Sequence, residues 1–224
     1  MGKPSQERSL SELLSSELAN LTDLGYPLIV YSADLNEARR RGDYMNYGVR
    51  LYQAALKGQW EVARQILDAY PDSINAGITK HGDTILHIAA AATRTKFVEE
   101  LVSKMSPDNL GTQNRMGNTA LCLAAVSGDV SIAKAMVEAN QGLPSIRGHS
   151  NFTPVQMAAL LGHRDMVDYL LPLTTGFTNA DLMALLTATV NTDLYGVYVG
   201  VSYSVFTNLN ALHSLILFSH GKQM

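Results

Sequence analysis

The sequence predicts an all-α solenoid of stacked helix–turn–helix units joined by short hairpin-like loops. Three observations predict it. Four segments align without gaps: LYQAALKGQWEVARQIL (51–67), LHIAAAATRTKFVEELV (86–102), LCLAAVSGDVSIAKAMV (121–137) and VQMAALLGHRDMVDYLL (155–171). Their Ala-Ala pairs fall at 54–55, 89–90, 124–125 and 158–159, giving steps of 35, 35 and 34 residues. A period of that length marks a supersecondary unit that buries its apolar face only against copies of itself. Ahead of the last three segments stand GDTI, GNTA and NFTP, which put Thr84, Thr119 and Thr153 in register.

In chain order, residues 1–45 read as a lead-in that is partly helical or disordered. SLSELLSSELANL (9–21) spaces its leucines for a helix but is rich in Ser and has no packing partner in the pattern. RRRGDYMNYG (39–48) is a short basic run followed by turn-forming residues and reads as solvated. The N-terminus has no apolar stretch of the kind a secretory signal needs. It starts Met-Gly, but Gln6 stands where N-myristoylation wants Ser or Thr, with Ser5 one place early. Residues 46–172 hold the four repeats, at about 49–80, 81–114, 115–148 and 149–174. The first opens at Val49 without the Thr-Pro turn, as terminal repeats often do. Residues 175–224 read as a helical cap, with helices near 179–190 and 193–205 and a degraded further repeat opening at NALH (210–213).

Each repeated residue has a physical role. Gly82 and Gly117 supply the positive φ of a tight turn. Thr84, Thr119 and Thr153 stand where a hydroxyl can cap the first helical turn, and Pro154 follows where a missing N–H costs nothing. The Ala pairs are small because helices meet there at close range. Gly58, Gly128 and Gly162 end the first helix of their units; the second unit has Thr93 instead, which predicts a slightly different helix end. Apolar residues then recur at helical spacing: Val62, Ile66 and Leu67; Phe97, Val98, Leu101 and Val102; Ile132, Met136 and Val137; Met166, Val167, Leu170 and Leu171. Trp60 and Phe97 lie in such stripes and read as core.

This pattern resembles the ankyrin repeat, whose motif runs G-x-T-P-L-H-x-A-A-x-x-G-x-x-x-x-V-x-x-L-L. The second copy keeps GDTILHIAA, the third GNTALCLAAVSGD, and the fourth TP and AALLGH. The flanks sharpen the likeness. The opening repeat and the segment NADLMALLTATVNTDLYGV after the array are similar to the plant ankyrin family that carries a C-terminal membrane domain with a Pro-Gly-Gly motif. That resemblance implies a role in defence and stress signalling, with repeats facing the cytoplasm. This sequence has no Pro-Gly-Gly and no span of about 18 uncharged apolar residues, so it reads as a truncated or short member.

Composition and motifs bound the chemistry. Hydrophobic residues make up 46%, charged residues 17%, and mean hydropathy is +0.01, which suits a packed soluble core. The net charge of −3 carries no basic stripe for nucleic acid. One cysteine excludes an internal disulfide and suits a reducing compartment. No glycine-rich phosphate loop and no H-x-x-x-H or C-x-x-C is present, so no cofactor, metal or small-molecule substrate is expected. Cys122 occupies the position held by His87 in the second copy and reads as a small, partly buried packing residue. His87 and His213 match the motif histidine, which in this family bonds neighbouring turn backbone. Glu99 and Glu100 read as solvated charges. No catalytic constellation emerges, and an enzyme built on Cys122 is the weakest reading.

Surface remains. Carried over residue by residue, the resemblance puts partner-binding positions at the hairpin tips: Lys80, His81 and Asp83; Arg115, Met116 and Asn118; His149, Ser150 and Phe152. On the first helices it puts them at Ala91, Ala92, Val126, Ser127, Leu160 and Leu161. Met116, Phe152, Val126, Leu160 and Leu161 would form an apolar ridge suited to a protein partner. The expectation is a non-catalytic, cytoplasmic protein-interaction module or adaptor in plant stress or defence signalling. The alternative is a membrane-associated regulator acting with full-length relatives at the cytoplasmic face of the plasma membrane.

Overall fold

The computed structural model describes residues 47–192 and residue 194. The predicted helices near 193–205, the NALH segment with His213, and the lead-in 1–45 lie outside the described residues. Within them the chain folds into pairs of antiparallel helices: α1 (Val49–Lys57) with α2 (Trp60–Ala69), then α3 (Ile85–Ala91) with α4 (Thr95–Lys104). After the short α5 (Pro107–Leu110) come α6 (Ala120–Ser127) with α7 (Val130–Ala139), and α8 (Pro154–Leu160) with α9 (Arg164–Leu170). A single longer helix, α10 (Asn179–Asn191), follows. Strands are absent among the described residues.

The first helices α1, α3, α6, α8 and α10 stack on one another in that order and form an inner layer. The second helices α4, α7 and α9 stack in the same order behind them, and α2 pairs with α1. Alanines 54, 55, 89, 90, 124, 125, 158 and 159 are all buried at these contacts. Small side chains let the helix axes approach, and the faces of α2, α4, α7 and α9 close the core from behind. Phe97, Leu101, Ile132, Met136 and Met166 are fully buried there, each worth roughly 1.5–3 kcal/mol of burial. Val62 and Leu171 from the predicted stripes sit half-buried against this core, as does Trp60, whose ring meets Phe97 edge-on at 5.4 Å.

Two rows of left-handed residues set the turns. One row ends the first helices: Gly58 (φ +70°), Thr93 (+55°), Gly128 (+76°) and Gly162 (+75°). The expected difference at Thr93 does not alter the bend. The threonine takes the same left-handed conformation as the glycines, and α3 ends one residue early just as glycine-ended α8 does. The other row lies two residues before each cap: Gly82 (+75°), Gly117 (+83°), Asn151 (+65°) and Gly176 (+76°). Asn151 replaces glycine because asparagine is among the few side chains that tolerate this region.

The caps form as predicted. The residue three after each threonine reaches back to the cap's own N–H: His87 Nδ1 accepts from Thr84 N–H at 3.2 Å, and Gln156 Oε1 from Thr153 N–H at 2.9 Å. Thr119 instead accepts from the Cys122 N–H. A further cap was not recognised as a repeat in the sequence. Gly176-Phe177-Thr178 reproduces the turn triplet, and Asp181 accepts from Thr178 N–H at 2.7 Å. The helix expected near 179–190 is therefore the first helix of a fifth layer, stacked on α8 as α8 is on α6. Its spacing hid it: Thr178 follows Thr153 after 25 residues, because the usual connection behind α9 is cut short.

The fifth layer is pinned by charge. Arg147 grips Asp181 with two parallel bonds of 2.8 and 2.7 Å and also donates to the carbonyls of Asn151 and Gly176. The guanidinium and the Thr178 donors hold the Asp181 carboxyl well below the usual carboxylate range. A depressed acid contributes stability that is complete above its unfolded pKa and is lost as pH falls through the folded one.

Three outcomes follow from this packing. Thr93→Gly should raise unfolding stability by about 0.5–1 kcal/mol in urea titration, because the left-handed penalty of a side-chain-bearing residue exceeds glycine's added entropy. Arg147→Ala should lower stability at neutral pH by about 2 kcal/mol, the scale of a lost bond to a charged group. Asp181→Asn should remove part of the stability lost below about pH 4, where unfolded aspartate takes up its proton.

Candidate functional site

The hairpin tips are built by side chains that replace a strand ladder. Thr79 Oγ1 accepts from the N–H groups of His81 and Asp83, and Asn114 Oδ1 accepts from those of Met116 and Asn118. Cross-turn backbone bonds close each loop: Ile78 N–H to Asp83 O, Asn114 N–H to Asn118 O, and Gly148 N–H to Phe152 O. Successive tips are then stitched together. Arg115 N–H donates to His81 O at 2.7 Å, Gln113 Nε2 to Arg147 O at 2.8 Å, and His149 N–H to Asn118 Oδ1 at 2.8 Å.

Three of the candidate contact residues are buried in this architecture. Asp83 is buried, and its carboxylate accepts from Thr79 Oγ1 and Asn114 Nδ2, both at 2.6 Å. Asn118 is buried; its side chain accepts from the next tip and its carbonyl from His87. Val126 is buried with Cys122 and Met157 in a small apolar cluster separate from the main core. Position in a motif suggested exposure for all three; their hydrogen bonds and packing decide otherwise.

The remaining residues stay at the surface to different degrees. Lys80, His81, Arg115 and Ser150 are exposed, while Ala91, Ala92, Met116, Ser127 and His149 are half-buried. Phe152 and Leu161 are half-buried, covering the small cluster of Cys122, Val126 and Met157. Leu160 is also half-buried but packs against the main core, so it serves stability as well as surface. Phe152 and Leu161 thus form a short apolar ridge over α6 and α8, and Leu123 adds a further half-buried side chain on α6. Sequence reasoning passed over Leu123 because it sits between motif positions.

The candidate nucleophile is unsuited to chemistry. Cys122 is fully buried, its sulfur lies 3.4 Å from Thr119 Oγ1, and burial pushes the thiol pKa up. A thiolate is the reactive form, so this environment disfavours it. His87 is equally committed. Nδ1 accepts from Thr84, which leaves the Nε2 proton to donate to Asn118 O at 2.9 Å across the layer boundary. Burial lowers the pKa of this ring and keeps it neutral. Among the described residues no three His, Cys, Asp or Glu side chains are grouped to hold a metal.

Stacked helix pairs, stitched tips and a ridge without reactive groups define a repeat scaffold that presents an extended surface. The comparison with known families agrees. The ankyrin-repeat profile, described as Ankyrin repeats (3 copies), matches residues 51–144 and 106–182. The chain belongs to the ankyrin-repeat family, whose repeats are protein-interaction scaffolds. It is 26% identical over 166 residues to the Ankyrin repeat and KH domain-containing protein mask-1 of Caenorhabditis elegans. That match covers 74% of this chain and 6% of the nematode protein.

His87 gives a pH outcome with a definite sign. A histidine whose folded pKa is lowered is fully stabilising above its unfolded value of about 6.5, and its contribution fades as pH falls below that. His87→Gln should flatten stability between about pH 5 and 7 in urea titrations while keeping the fold, because Gln156 already fills the equivalent position in the fourth repeat.

Proposed function

We propose that this chain is a non-catalytic adaptor that seats a protein partner on its tips and inner helices, in plant stress or defence signalling on the cytoplasmic side of the cell. One observation carries the binding reading: Phe152 and Leu161 remain partly open at positions where nothing else among the described residues completes their burial. Half-covered apolar groups beside a stitched, rigid row of tips are the features of a protein-binding patch. The plant assignment is supported by the opening repeat LYQAALKGQWEVARQIL and the segment NADLMALLTATVNTDLYGV.

A second reading makes the chain a membrane-associated regulator that assembles with full-length relatives. It is supported by the same flanking resemblance. No helix among the described residues is long and apolar enough to cross a membrane, so association would run through such relatives or through residues beyond 194.

Proximity labelling in plant cells tests the adaptor. Phe152→Ser with Leu161→Ser should erase specifically labelled neighbours while circular dichroism still shows a folded helical protein, its unfolding free energy in urea lowered by about 1–3 kcal/mol because both side chains cover the Cys122–Val126–Met157 cluster. An unchanged set of labelled proteins would refute the ridge. Co-sedimentation with plant membranes that disappears on deleting residues 176–224 would favour the second reading.

A further inference from the structure

The described charges are segregated between the two helix layers. The exposed carboxylates Glu61, Asp68, Glu99, Glu100, Glu138, Asp165 and Asp168 all stand on second helices, and Asp72 and Asp108 on the connections behind them. The first helices and tips carry only Asp83 and Asp181, both buried and both already bonded. Cations are not excluded from that side: Arg50 and Lys57 lie on α1, and Lys80, Arg115 and Arg147 at the tips. Arg147 is spent on Asp181, but Lys80 and Arg115 have no ion-pair partner among the described residues.

The two residues sit on adjacent tips. Arg115 donates from Nη1 to Lys80 O at 3.3 Å, and its stem lies over the turn at Gly82. Both residues are exposed, so their charges face solvent with no carboxylate of the described residues paired to them. Met116 lies on the same tip as Arg115, and the Phe152–Leu161 ridge on the layer beyond.

We infer that the inner face takes an acidic peptide segment interspersed with apolar residues, its carboxylates on Lys80 and Arg115 and its apolar side chains on the Phe152–Leu161 ridge. This rests on the adaptor reading and specifies the chemistry of the partner. Charges at the rim of such an interface chiefly accelerate encounter and select against the wrong partner. Binding should therefore weaken steeply with salt, whose screening length is about 10 Å at 0.1 M.

The test is selection of displayed random peptides of about 16 residues on the whole chain, followed by fluorescence anisotropy with the recovered sequences. The expected pool is net negative with interspersed Leu, Phe or Trp. Lys80→Glu with Arg115→Glu should weaken its binding at least about tenfold, whereas Lys96→Glu with Lys104→Glu on α4 should leave it within about twofold. Should charge reversal unfold the protein, Lys80→Gln with Arg115→Gln carries the same comparison. Neutral or basic peptides bound through the ridge would overturn the acidic chemistry and leave the adaptor reading standing. Peptides that bind only the second helices, or no enrichment at all, would overturn both. A 15-mer of oligouridine competing with the same dependence on Lys80 and Arg115 would overturn the peptide in favour of RNA.

Discussion

The close approach of the first helices governs the rest of the structure. Pairs of alanines hold α1, α3, α6 and α8 near enough that the last turn of one helix and the turn of the next layer lie within reach of a single side chain. At the bottom of the stack Arg94 donates to Leu56 O, His163 to Val126 O and Thr192 to Ala159 O. These bonds add cross-layer donors to carbonyls at the helix ends, where intrahelical partners run out. At the top, His87 donates to Asn118 O in the next turn and Gln156 to Asp181 O in the first turn of α10. A larger residue in the alanine pairs would separate the layers and break both rows at once.

The same closeness explains which glycines are needed. A Cβ on Gly128 would come within 3.0 Å of the His163 ring, which is the group that caps α6. A Cβ on Gly148 would lie 2.6–2.8 Å from Asn118, Met157 and Cys122 together. Gly148 has an unremarkable negative φ, so it is kept for space and not for its backbone conformation.

Legibility in the sequence followed the physics of repetition. Whatever recurs at fixed spacing for a local reason could be read: the Ala pairs, the threonine caps, the left-handed helix ends and the apolar stripes. The fifth layer could not, since its triplet Gly176-Phe177-Thr178 lies 25 residues after the previous one and Met183-Ala184 stands where the Ala pair would be. The candidate surface was half legible. Lys80, Arg115, Phe152 and Leu161 stay accessible, but Asp83 and Asn118 are drawn inward by partners 31 residues away, which no local pattern reveals. The Arg147–Asp181 pair escaped for the same reason, its two ends being 34 residues apart.

The position three residues after each cap ties these points to function. His87 and Gln156 each bond across to the next layer, and both boundaries are polar there. Cys122 cannot reach across; its sulfur is bonded to Thr119 in its own layer. At the level of Cys122 the boundary between α6 and α8 is therefore closed by apolar contact, with Cys122 packed among Val126 and Met157 and tucked beside Gly148. Apolar contact needs a cover, and Phe152 and Leu161 supply it from the surface while remaining half open themselves. The ridge is thus the outer side of the boundary at which the residue three after the cap makes no cross-layer hydrogen bond. Cys122 marks where the scaffold turns its apolar interior toward the surface.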